Sequence, residues 1–79
     1  MKTLHDLVKD GVYLHRKTGN YYKILTFAKS EKTGRVHVVY RRVEDTRWLE
    51  CYLRPIEEWE EEVEVNGEKG PRFLFVEQQ

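Results

Sequence analysis

The stretch Cys51–Val65, "CYLRPIEEWEEEVEV", decides how this chain folds. A segment of strand character reaches an Arg-Pro step at Arg54-Pro55 and passes at once into six glutamates set around Trp59. Proline has no amide to give a sheet ladder and biases the residue before it toward extended backbone, so the strand should stop there. Pro55 suits the first position of a helix, and glutamates favour its positive end, so one helical turn is expected near 56–62. Ile56, Trp59 and Val63 then share one stripe. The acidic turn is expected to fold back as a plug over the open end of a small β-structure, with Arg54 and Arg72 facing its glutamates.

Outward from that stretch the chain reads as strands and turns. "GVYLH" (Gly11–His15) is followed by the turn "RKTGN". "YYKILTFAK" (Tyr21–Lys29) sets Tyr22, Ile24, Thr26 and Ala28 against Tyr21, Lys23, Leu25, Phe27 and Lys29, with bulky apolar groups on both sides. That suits a strongly bent strand serving two surfaces. "RVHVVYRRV" (Arg35–Val43) is rich in β-branched and aromatic residues. "RWLECYLRP" alternates Trp48, Glu50, Tyr52 and Arg54 against Leu49, Cys51 and Leu53, the second set reading as core. Asn66-Gly67 signals a hairpin, and "PRFLFV" (Pro71–Val76) closes as a last strand. Thr3 can cap a short helix, Leu4 to Lys9, ended by Gly11. Turns at roughly ten-residue spacing predict an all-β (mainly β) small barrel or roll of about five strands. Residues 1–79 form one domain, with an N-terminal helical segment at 1–10 and the β-roll at 11–76.

At 79 residues the core is thin, and ten aromatics must supply much of it. No apolar run approaches the roughly 18 residues of a membrane span, and Asp6 and Asp10 interrupt what a signal peptide would keep apolar. Cys51 is the sole cysteine, which fits a reducing cytoplasm. Net charge is zero, yet residues 1–56 carry 12 Lys/Arg against 6 Asp/Glu, whereas residues 57–79 carry 2 against 8. The two halves are expected to neutralise each other in the fold.

Several of these segments together resemble a known family. "GVYLHRKTGNYYKIL" is similar to a G-x-Y-x-H-x-K-x-G-x-x-Y opening, "VVY" (Val38–Tyr40) to its middle strand, and "LRPIEEWEEEVEVNGEKGPRF" to its closing half. The family is domain of unknown function sixteen fifty-three, of short bacterial proteins, and the resemblance runs from Gly11 to about Phe75. It implies an SH3-like β-roll and no established activity. Lys29 stands where the family has a His before the loop serine, and Tyr52 stands where it has Trp.

Catalytic, cofactor and metal chemistry find little support. His5, His15, His37 and Cys51 lack the spacing of a closed metal site, no phosphate-binding glycine loop occurs, and the glutamate run reads as a solvated face. The combination with recognition chemistry is aromatic plus arginine. Tyr13, His15, Tyr21, Tyr40, Trp48, Tyr52, Arg54 and Arg72 lie on or beside adjacent strands. Rings stack on bases or line peptide grooves, and guanidinium groups hold phosphate or carboxylate. The same rings are also needed as core, and Arg54 also suits a carboxylate of the acidic turn. The leading expectation is a binding module for a peptide, protein or nucleic-acid segment, monomeric or weakly dimeric, away from the membrane. Alternatives are a small accessory enzyme or nucleotide-handling protein using His15, Arg54 and glutamates, and a structural subunit that lends an edge strand to a partner.

Overall fold

The computed structural model describes residues 7, 9–44 and 50–78. Within them run β1 (Gly11–His15), β2 (Tyr21–Lys29), β3 (Val36–Arg42), β4 (Tyr52–Pro55), α1 (Ile56–Trp59), β5 (Glu62–Val65), β6 (Glu68–Pro71) and β7 (Phe73–Gln78). Five strands form one antiparallel sheet in the order β4-β3-β2-β1-β7, and β5-β6 form a separate hairpin. The mainly β expectation holds, with seven strands where about five were expected. The Asn66-Gly67 hairpin supplies the difference: both residues have positive φ (53° and 83°), the backbone of a tight two-residue turn. The five-stranded sheet does not close into a barrel, since β4 and β7 stand at opposite ends of its order. The expected helix at Leu4–Lys9 lies largely outside the described residues.

A single inserted residue corrects the expected alternation of β2. Ile24 pairs with Tyr40, but Thr26 pairs with Val39 and Phe27 with Val38, so Leu25 is an extra residue and the strand changes phase there. Tyr22 and Ile24, followed by Phe27, therefore face the core, while Thr26 and Ala28 are exposed. The strand serves two surfaces by a bulge, not by bending alone.

β4 inverts a second expectation. Tyr52 pairs with Tyr40 and Arg54 with Val38, both buried positions, so Tyr52 and Arg54 take the inner side. Leu53 is consequently 65% exposed, and Cys51 is exposed rather than core. Arg54 turns inward to Glu58 of the acidic turn that follows, and Tyr52 turns the same way to pack on Tyr22 and Tyr40 while its hydroxyl donates to Glu50.

That turn covers the inner face. The helix lasts one turn, ending at Trp59 with Glu60 as its C-cap, because Glu62 already belongs to the hairpin. Val63 leaves the helical stripe yet is still buried, now through β5. Trp59 is 2% exposed and lies parallel on Phe73, with ring centroids 3.7 Å apart and planes 2° apart. Tyr13 and Tyr40 meet the indole edge-on at 5.4 and 5.0 Å, and Ile24, Val38 and Leu7 complete the buried cluster.

Arg16, just beyond β1, fastens the hairpin to this body. Its Nη1 donates to the Pro71 carbonyl at 3.0 Å and the Val63 carbonyl at 3.5 Å, and Nη2 donates to the Glu68 carbonyl at 3.2 Å. Gly70 leaves the space: a Cβ there would stand 2.8 Å from Arg16 Nη1.

Trp59→Ala should lower stability by about 3–5 kcal/mol through lost burial and an unfilled cavity, read as a fall in denaturation midpoint. Arg16→Met should cost about 2 kcal/mol as charge-assisted bonds are lost. Its amide exchange should quicken in β5 and β6 more than in β2 and β3.

Candidate functional site

The sequence-predicted set divides into four groups. Tyr13 and Tyr40 are core rings, 4% and 6% exposed. Their place follows from β1 and β3 being inner strands of the sheet, where alternate residues face Trp59. Trp48 lies outside the described residues. Tyr21 is 44% exposed on the outer face, away from Arg54 and Arg72. His15, Tyr52, Arg54 and Arg72 do come together, at the margin of the inner face where α1 meets the sheet.

Around Arg54 and Arg72 the acidic turn is pinned as expected. Arg72 Nη2 lies 2.7 Å from Glu61 Oε1, and its Nε donates to the Glu58 carbonyl at 3.2 Å. Arg54 Nη1 is 3.7 Å from Glu58 Oε1, its Nε donates to the Tyr40 hydroxyl at 3.3 Å, and its guanidinium sits 5.6 Å from the Phe73 centroid. Their side chains are only 25% and 16% exposed, so both guanidiniums serve the fold. An outer pair, Arg35 to Glu57 at 2.8 Å, adds a more exposed tie. Tyr22 is a member of this cluster that sequence reasoning passed over. It meets His15, Tyr40, Tyr52 and Phe73 edge-on. Its signal was the alternation that placed it beside Ile24.

His15 closes the cluster. Its ring lies over Phe73 at 4.8 Å, on the sheet side of the Trp59 stack, and Nδ1 is bonded to Thr18 Oγ1 at 2.9 Å. Its Nε2 is enclosed by protein without a hydrogen-bond partner, which gives a substrate no approach in this conformation. Burial first, then the neighbouring charges of Arg54, Arg72 and Lys17, hold the imidazole pKa below its ordinary value. Among the described residues no group of three His, Cys, Asp or Glu side chains is placed to hold a metal ion.

The exposed apolar surface lies elsewhere. β7 ends the sheet order, and its consecutive Leu74, Phe75 and Val76 are 41%, 51% and 45% exposed. Phe75 leans on Tyr13 from the inner side at 5.4 Å, whereas Leu74 stands opposite Leu14. Side chains therefore project on both sides of a sheet margin. At the other end of the sheet, Leu53 joins Ala28, Lys29, Ser30 and His37 around a recess of about 250 Å³.

A family model described as "Protein of unknown function (DUF1653)" matches residues 11–75. The chain belongs to this family. Its fold is shared: a crystal structure of a DUF1653 protein from Bordetella bronchiseptica is similar at 31% identity and a TM-score of 0.81, covering 98% of this chain and 96% of that one. No curated protein matches the chain. The matched DUF1653 region takes in His15, Arg54 and Arg72 and ends at Phe75, within β7.

Acid should weaken the fold through His15. With a folded pKa below the unfolded value of 6.5, its contribution is complete above 6.5 and is lost as pH falls through the folded value. The stability difference between wild type and His15→Phe should grow with pH up to about 6.5 and then level off. Urea titrations across that range measure it, and a constant difference would contradict the assignment.

Proposed function

We propose that this chain is a binding module that takes an extended segment of a partner protein along the outer edge of β7. One observation carries this reading: three consecutive large apolar side chains stand exposed on an edge strand of six residues. An edge strand offers a row of backbone donors and acceptors, and proteins usually blunt such an edge with lysine, proline or a covering loop. Between Phe73 and Val76 this strand carries no charge and no proline. Peptides that add a strand gain affinity from the main chain and selectivity from alternate side chains. Leu74 and Phe75 project on opposite sides of the margin and so offer a contact to each alternation.

The aromatic/arginine surface contributes in a narrower way. Arg54 and Arg72 grip the acidic turn, and the rings beside them meet edge to face, so they support the module and do not present open π faces for base stacking. Of the aromatic candidates among the described residues, Tyr21 keeps an exposed ring for a partner. A protein segment fits this arrangement better than a nucleic acid.

A random peptide-display library panned against the full chain tests the reading. Selected peptides should be extended and should slow amide exchange along β7. Leu74→Lys, a surface change on the edge, should reduce their binding at least ten-fold while leaving the melting temperature within a few degrees. Protection confined to α1 or to β4 would move the site away from β7.

A further inference from the structure

Backbone bonds at the start of β7 fix which way its peptide groups point. Arg16 N–H donates to the Arg72 carbonyl at 3.0 Å, one step beyond the His15–Phe73 pair, while His15 N–H donates the other way, to the Asn20 carbonyl at 2.8 Å. Bonded and non-bonded pairs alternate along an antiparallel ladder, so Leu14–Leu74 is the next bonded pair. The N–H and C=O groups of Phe73 and Phe75 therefore point away from β1. Among the described residues no strand lies beyond β7 to meet them. The repeat then breaks: Tyr13 pairs with Phe75 but Val12 pairs with Glu77, so Val76 is an extra residue. What the free edge offers is the backbone of Phe73 and Phe75, with Leu74 between them.

Leu74 is also the end of a cross-strand row. It pairs with Leu14, Leu14 pairs with Tyr21, and Val43 follows, its N–H donating to the Tyr21 carbonyl at 3.0 Å. Their neighbours Tyr13 and Tyr22 face the core, so this row lies on the outer face. Every member is apolar or aromatic, and Leu74, at the margin, is exposed. An antiparallel strand beside β7 needs only three residues, opposite Phe73, Leu74 and Phe75, to take up all the free backbone groups. A parallel strand spreads the same bonds over a longer stretch and pairs less stably. The middle residue of the antiparallel segment meets Leu74 in a non-hydrogen-bonded pair, where side chains stand closest. There it extends the apolar row.

We infer that the edge selects an antiparallel protein segment whose central residue is a β-branched or aromatic side chain seated on Leu74, flanked by two residues with unsubstituted amides, an assignment that rests on the β7-edge reading above. The flanking amides bond Phe73 and Phe75, and the central amide points away from β7. A charged central residue would lose water against Leu74 without gaining a partner. A second copy of this chain would set Leu74 against Leu74, but it would also bring its own hairpin, joined to β7 through Arg72 alone, alongside Val76 and Glu77. A free segment brings no such body.

The experiment places single N-methyl groups along a peptide from the display selection and measures affinity for the full chain by fluorescence anisotropy. Methylation should weaken binding about ten-fold or more at two positions separated by one tolerant position. Replacing the tolerant residue by Asp should also cost about ten-fold. Its replacement by Ala should be coupled to Leu74→Ala, the two together weakening binding less than the product of their separate effects. Methyl sensitivity at adjacent positions or at none, or a central residue uncoupled from Leu74, would overturn this register. If Leu74→Lys still weakened binding, the edge reading would stay in place. Full binding by Leu74→Lys, or a selection that yields no peptide, would overturn the edge reading and the register with it. A dimer of the chain that excludes the peptides would assign the edge to a second copy and overturn both.

Discussion

The parallel stack of Trp59 on Phe73 is the contact on which the rest of the molecule depends. Trp59 reaches it because Pro55 ends β4 and starts the one-turn helix, and Phe73 reaches it because β7 returns beside β1. With His15 over the other face of Phe73, three flat groups form one layered unit that joins α1, β7 and β1. A chain this short has few large side chains to spend on its interior, and this unit places the biggest of them at the junction of the sheet and the turn that covers it. The guanidiniums of Arg54 and Arg72 stand around it and hold the glutamates of the turn in place.

Much of that junction was legible in the sequence. Proline after Arg54 fixed the strand end, the Ile56/Trp59 spacing marked a covering turn, and the arginines before and after the glutamate run had obvious partners. Asn66-Gly67 announced its hairpin. What could not be read was phase. Strand alternation tells faces apart only while the register is unbroken, and Leu25 and Val76 each break it. The side to which Arg54 turns depended on Glu58 later in the chain, and that of Tyr52 on Tyr22 and Tyr40 in other strands, so Leu53 and Cys51 were misplaced by local pattern alone. Arg16 escaped notice because its acceptors are backbone carbonyls, which leave no trace in side-chain composition.

The candidate site was partly legible for the same reason. Residue types suited to recognition were present, but those types also build a small core, and pairing decided which did which. Tyr13 and Tyr40 went inward with their strands. Exposed apolar surface fell to β7, the strand placed at the sheet margin by a chain return of more than fifty residues from β1. Edge position is a property of topology, and topology of this kind is not written in any single segment.

The way Arg16 grips the hairpin has a practical meaning. It recognises the main chain of β5 and β6 and ignores the identity of the outward side chains, among them Glu62, Glu64 and Lys69. The attachment therefore tolerates a new surface. Provided that Gly70 and the inward Val63 are kept, this flap is the part of the molecule on which foreign sequence can be displayed at least structural risk.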